Sequence, residues 1–157
     1  MAVRDEGAAH ATRQPVDLVV SDMPLLASVQ ALSRAYLSSL RTVAEGLGVY
    51  AGQEQVLFVL ARNGELPPGE LARATGVDAS SITRSVQRLE ASGFLRRRRS
   101  TADRRSAVIC LTPEGEHVVG VLKQRCAALE KHINARLDAA AAIQCLTALR
   151  QALADGE

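Results

Sequence analysis

A mainly α fold carrying a small β-wing is what this sequence predicts, and three observations predict it. Its 157 residues are 47% hydrophobic but only 3% aromatic, with no tryptophan, so the core is aliphatic and built largely of Ala and Leu, which favour helices. Through most of the chain the apolar residues recur every three or four positions, the spacing that lines one face of a helix. The stretch from Phe94 to Leu111 departs from that spacing; bounded by Gly93 and by Thr112-Pro113, it reads as two short strands joined by an arginine-rich turn. The length fits one domain with extensions.

Taken in order, residues 1–20 are polar and aperiodic and are expected to form a flexible arm. The first helix opens near Asp22, a capping residue, and Pro24, which suits a first turn. Leu25, Val29, Leu32, Tyr36, Leu40, Val43 and Leu47 then form one stripe at spacings of 4, 3, 4, 4, 3 and 4 until Gly46 and Gly48 stop it. A second helix, Gln53 to Arg62, turns Val56, Leu57 and Leu60 to one side and ends at Asn63-Gly64. Pro67-Pro68 opens a short third helix, Gly69 to Ala74, which Gly76 terminates, and Asp78 caps a fourth whose Ile82, Val86 and Leu89 face inward. The fifth helix starts at Thr112-Pro113 and carries Leu122, Cys126, Leu129, Ile133 and Leu137; the sixth, Ala140 to Ala154, carries Ile143, Leu146, Leu149 and Leu153. The short third helix, the turn at Gly76-Val77, the fourth helix and the hairpin together make a winged helix-turn-helix.

Charge is concentrated in that unit. Between Ala79 and Thr112 stand Arg84, Arg88, Arg96, Arg97, Arg98, Arg99, Arg104 and Arg105 against Glu90 and Asp103, a net +6, whereas the whole chain is only +2. A field focused in this way attracts a polyanion, and each phosphate neutralised adds salt-dependent affinity. The bland alternative is a solvated charged face, but four consecutive arginines lie on a strand-turn-strand rather than on a tail. On the fourth helix Ser80, Arg84, Gln87 and Ala91 point away from the apolar side, flanked by Thr83 and Arg88. These side chains suit a major groove: Arg pairs with guanine, Gln with adenine, and small hydroxyls approach base edges or phosphates closely. The hairpin tip, with Arg97, Arg99, Arg104 and Arg105, suits the minor groove, with Asp103 either aiming a neighbouring arginine or forming a plain turn. Double-stranded DNA is therefore the expected partner. The first, fifth and sixth helices lie outside this unit, and their stripes are expected to pack together and against a second copy, so that paired recognition helices read a palindrome.

Other functions find less support. There is no nucleophile-base pair, Gly-rich phosphate loop or clustered metal ligand, so no catalysis, cofactor or metal is expected; Gly46-Leu-Gly48 follows no strand and is a helix stop. Cys110, Cys126 and Cys145 match no zinc spacing and read as small core residues rather than redox sensors. No uncharged apolar run approaches about 18 residues, and the start Met1-Ala-Val-Arg-Asp-Glu-Gly lacks the apolar core of a signal peptide, which predicts a soluble cytoplasmic protein. A winged-helix module docking an acidic protein partner through the basic wing is the competing reading. Against it, the outward face of the fourth helix has no aromatic anchors.

Asp103-Arg-Arg-Ser-Ala-Val-Ile-Cys-Leu-Thr-Pro-Glu-Gly115 resembles the wing signature of the MarR family of bacterial transcriptional regulators: an Asp, a basic pair, alternating apolar residues and Leu-Thr-x-x-Gly. Residues 80–93 resemble that family's recognition helix, and residues 69–76 the helix before it; the likeness spans about residues 25 to 153. The resemblance implies a homodimer that represses or activates promoters at pseudo-palindromic operators. It implies that Arg105 enters the minor groove with Asp103 positioning it, while Ser80, Ser81, Thr83 and Arg84 face the major groove. It also implies a small-molecule effector, since many relatives release DNA on binding phenolic or aromatic carboxylate ligands in a cleft between the dimerisation helices and the winged unit. The sequence departs from the pattern where Ala51-Gly52 replaces the usual hydroxyl cap of the second helix, and it has no cysteine at the N-terminal position of the peroxide-sensing branch. The chain is accordingly read as an arm (1–20), an N-terminal dimerisation helix (21–50), a winged helix-turn-helix DNA-binding domain (51–112) and C-terminal dimerisation helices (113–157). DNA contacts are expected from Ser80, Ser81, Thr83, Arg84, Gln87, Arg88, Arg97, Arg99, Asp103, Arg104 and Arg105, and repression is the expected outcome.

Overall fold

Apolar spacing, caps and breakers translate into six helices and one hairpin in a computed structural model that describes residues 23–99 and 107–155. The elements run α1 (Pro24–Ala44), α2 (Glu54–Asn63), α3 (Pro68–Thr75), α4 (Ala79–Ala91), β1 (Leu95–Arg99), β2 (Ala107–Leu111), α5 (Pro113–Asn134) and α6 (Ala139–Ala154). The expected arm and the Asp22 cap lie outside the described residues. The chain falls into two compact units divided within α1, between Tyr36 and Leu37. In the first unit Leu25, Leu26, Leu32 and Tyr36 of α1 are exposed, with Val29 half-buried.

The second unit holds the core. Val43 and Ala44 of α1, Val56, Leu57 and Leu60 of α2, Leu71 of α3, and Ile82, Val86 and Leu89 of α4 close around Leu95 and Ile109 of the hairpin and Val118, Val119 and Leu122 of α5. Arg125 of α5 ties down the end of α1, its Nη1 donating to the carbonyls of Val43 and Glu45 at 2.9 and 2.7 Å, groups a helix end otherwise leaves without partners. The strands pair antiparallel with Arg97 opposite Ile109. On the far side of β2, Leu66 exchanges both backbone hydrogen bonds with Ile109, at 3.1 and 2.8 Å, so the wing is anchored to the α2–α3 connection at a single residue. The fold is a winged helix-turn-helix: α3, the left-handed turn at Gly76 (φ 66°) and α4, followed by the hairpin.

Two expectations change, for the fifth helix and for the cysteines. The fifth helix ends at Asn134, not beyond Leu137: Arg136 N–H bonds Ile133 O at 2.9 Å to close the last turn, and Asp138 accepts from the N–H groups of Ala140 and Ala141 to start α6. Leu137 therefore sits exposed between helices. Where Ala51-Gly52 stands in place of a hydroxyl cap, α2 has no side-chain cap hydrogen bond. Instead its first residues reach backward, Gln53 Oε1 accepting from Tyr50 N–H at 3.0 Å and Glu54 Oε2 from Gly52 N–H at 2.7 Å, and both side chains are buried. Of the cysteines only Cys126 packs against the core, and it is not fully buried. Cys110 and Cys126 are half-buried and Cys145 is exposed, because α6 buries none of its residues within the chain. Burial and the Glu54 carboxylate push the Cys126 thiol up, which keeps it in the unreactive thiol form.

Candidate nucleic-acid interface

The interface is built from α4 outward. Asp78, extended at the helix entrance, accepts from Ser81 N–H at 2.9 Å and from the Ser80 hydroxyl at 2.6 Å, and these hydrogen bonds hold its carboxyl well below the usual carboxylate range. At the other end Phe94 N–H reaches Leu89 O and Gly93 N–H reaches Glu90 O, both at 2.9 Å, a glycine-terminated stop that turns the chain into β1. With Ile82, Val86 and Leu89 buried, Ser80, Thr83, Arg84, Gln87 and Arg88 are exposed and Ser81 is half-buried. The hydroxyls of Ser80 and Thr83 already donate, to Asp78 and to Ala79 O at 2.8 Å. They present acceptor lone pairs outward, which suits base amino groups and not phosphates.

The strand pleat sorts the four arginines of β1. Arg97 and Arg99 share a face with Leu95 and, across the ladder, with Ile109 and Leu111; Arg96 and Arg98 share the opposite face with Cys110 and Val108. Arg97 turns to α4, its Nε donating to both oxygens of Glu90 at 3.0 and 3.2 Å. Arg98 turns away and pairs with Glu65 between α2 and α3. Arg96 and Arg98, which are not among the expected contacts, thus face away from Arg97 and Arg99, because successive side chains of a strand point to opposite sides. Asp103, Arg104 and Arg105 lie outside the described residues.

Glu90 and Glu65 were not singled out from sequence. They lie 7 and 33 residues from their arginines, so only the tertiary fold reveals the pairs. A cleft of about 130 Å³ lies where the start of α3, α4 and the wing meet, with Pro68, Gly69, Thr83, Val86, Arg97 and Ile109 in its lining. On the back of the wing an open pocket of about 750 Å³ is bordered by Glu65, Arg96, Arg98, Cys110 and Glu116. A third pocket, about 500 Å³, lies at the end of α1 among Leu37, Arg41, Val49 and Tyr50. Among the described residues no cluster of His, Cys, Asp or Glu has the makings of a metal site, and no helix is long and apolar enough to cross a membrane.

Comparison with known proteins places this geometry. Residues 50–106 match the family model described as the MarR family. The chain is 34% identical over 103 residues to a putative transcriptional regulatory protein for the hcr operon of Thauera aromatica, covering 66% of this chain and 62% of that one; it thus spans less than two thirds of that relative's length. Among solved structures, it superposes on the PcaV transcriptional regulator of Streptomyces coelicolor in complex with its natural ligand with a TM-score of 0.71 at 25% identity, covering 92% of this chain and 99% of that one. On a MarR mutant of E. coli complexed with operator DNA the TM-score is 0.74 at 23% identity, covering 87% and 99%.

Proposed function

The chain belongs to the MarR family of winged helix-turn-helix regulators, and we propose that it is a homodimeric, sequence-specific DNA-binding transcriptional repressor that acts on a pseudo-palindromic operator and is released by a small aromatic or phenolic ligand. The single observation that carries the reading is the shared exposure of the polar side of α4, with Arg84, Gln87 and Arg88, and of the wing face that bears Arg97 and Arg99. Such a surface addresses a major groove and the minor groove beside it. Arg84 and Gln87 read base edges, Ser80, Ser81 and Thr83 flank them, Arg88, Arg97 and Arg99 meet phosphates, and Arg104 and Arg105, with Asp103, outside the described residues, are assigned to the minor groove.

Dimerisation rests on apolar surface left open in the single chain. Ile143, Leu146 and Leu153 of α6, Ile133 of α5 and, in the other unit, Leu25 and Leu32 of α1 are all exposed, apolar side chains of the kind a second copy would cover. The 21–50 and 113–157 segments serve this contact, and 51–112 the DNA. The effector site is assigned to the pocket at the end of α1, where Arg41 offers a carboxylate partner and Leu37, Val49 and Tyr50 an apolar and aromatic wall.

Fluorescence anisotropy with duplexes recovered from DNA crosslinked to the protein tests the reading. Arg84→Ala and Arg105→Ala are each expected to weaken specific binding, and unchanged affinity in both rejects it. Light scattering is expected to give a dimer that Leu146→Asp converts to monomers.

A further inference from the structure

In the proposed complex α4 lies in a major groove and the wing in the adjacent minor groove, so a sugar-phosphate strand must pass between them. Between α4 and the wing, beside the start of α3, lies the cleft lined by Pro68, Gly69, Thr83, Val86, Arg97 and Ile109. Arg97 has its Nε bound to both oxygens of Glu90, at 3.0 and 3.2 Å, and no described residue engages its Nη1 or Nη2. A guanidinium carries five N–H donors in a rigid fork, so fixing the Nε edge on α4 fixes the direction of the other four. The pair is partly exposed, with the Arg97 side chain at 45% and that of Glu90 at 25%. As a stabilising contact it is worth little, and what it supplies is aim.

We propose that Glu90 is a positioning residue that presents the terminal nitrogens of Arg97 to the phosphate crossing between the two grooves. The inference rests on the DNA-binding reading above and deepens it. Glu90 is an acidic residue in a segment of net +6, where a carboxylate facing phosphate is repelled; bound to Arg97 Nε it is neutralised, and it orients the cation. Arg98 makes a contrast within the same strand: strand alternation places it on the opposite face of the wing, away from α4, where it pairs with Glu65.

The test is the salt dependence of binding by the full chain, measured by anisotropy on an operator duplex and on an unrelated duplex. Each phosphate contact contributes about 0.9 to the slope of log K against log salt concentration. Arg97→Ala is expected to flatten that slope by about 0.9 on both duplexes, since a phosphate carries no base identity. Glu90→Ala is expected to flatten it equally, Glu90→Gln to restore it because the amide oxygen still accepts from Nε, and the double variant Glu90→Ala/Arg97→Ala to be no worse than Arg97→Ala. A merely structural Glu90 would lower the melting temperature and leave the slope alone, which overturns the proposal. A steeper slope or tighter binding in Glu90→Ala also overturns it, because the carboxylate would then be competing with DNA for Arg97. If wild-type protein binds and Arg84→Ala weakens it while Arg97→Ala changes nothing, this inference alone fails. If wild-type protein binds no duplex, the DNA-binding reading fails with it.

Discussion

The hydroxyl of Thr112 donates a 2.6 Å hydrogen bond to the carbonyl of Gly93 while accepting from Gly115 N–H at 3.0 Å. One side chain therefore caps α5 and fastens it to the stop of α4, so that the hairpin between them leaves and returns at a fixed point; Thr112 N–H adds a bond to Phe94 O at 3.0 Å. Thr112→Val keeps the shape and removes both side-chain bonds. Loss of a helix cap costs about 1–2 kcal/mol, which for a chain of this size lowers the melting temperature by about 2–4 °C per kcal/mol. Differential scanning fluorimetry checks this; an unchanged melting temperature would show that the clasp is unnecessary.

Gly115 completes the same clasp from the other side. It is buried in the first turn of α5, and a Cβ there would overlap the carbonyl oxygen of Phe94 and press on Leu111 Cδ2 at 3.2 Å. Backbone cannot give way as a flexible side chain does, so Gly115→Ala is expected to cost about 3 kcal/mol or more. Gly120, on the same helix with nothing within 4 Å of a Cβ, is the internal control: Gly120→Ala is expected to raise stability by up to about 1 kcal/mol through helix propensity. Urea denaturation of the two variants side by side separates the steric effect from the generic one, and equal midpoints would refute it.

Asp78 links α4 to pH. Its carboxyl is held well below the usual range, first by the Ser80 hydroxyl and then by Ser81. A pKa lower in the folded than in the unfolded chain stabilises the fold above the unfolded value of 3.8, and that contribution is lost as pH falls further below it. Asp78→Asn keeps a good capping side chain but has no charge to lose. The stability gap between wild type and Asp78→Asn, read from denaturation midpoints, is therefore expected to be largest near neutral pH and to shrink below about pH 4. A gap independent of pH would mean that the ionised form is not what the serines hold.

Much of this architecture is legible in the sequence because its signals are local. Asp78 before an Ile82-Val86-Leu89 stripe, Gly93 after it and Thr112-Pro113 beyond the hairpin each act within a few residues. The features that sequence did not reveal depend on distance or on competition. Leu66 joins the sheet through one residue and has no alternation to announce it. Leu137 continues the 4, 3, 4, 4 stripe of α5, yet Asp138 offers its oxygen to a new helix and the chain breaks between them, since apolar periodicity carries no stop signal of its own. At the candidate interface the residue types and the choice of Arg97 and Arg99 over Arg96 and Arg98 were legible, because strand alternation is local, whereas the pairing of Arg97 with Glu90 and of Arg98 with Glu65 followed from tertiary approach alone.

That partition gives the sharpest expectation for binding. Arg96 and Arg99 are both exposed, belong to the same strand and carry the same charge, yet Arg99 shares its face with Arg97 and Arg96 borders the pocket on the back of the wing. If binding followed charge alone, Arg96→Ala and Arg99→Ala would weaken it equally. If contact decides, Arg99→Ala removes a phosphate contact, flattens the salt slope by about 0.9 and weakens operator and unrelated duplex alike. Arg96→Ala is then expected to leave the slope unaltered and to change affinity only slightly, through a long-range field that salt screens beyond about 10 Å at 0.1 M. Anisotropy titrations of both variants at several salt concentrations distinguish the cases, and equal losses would mean that charge, not contact, decides.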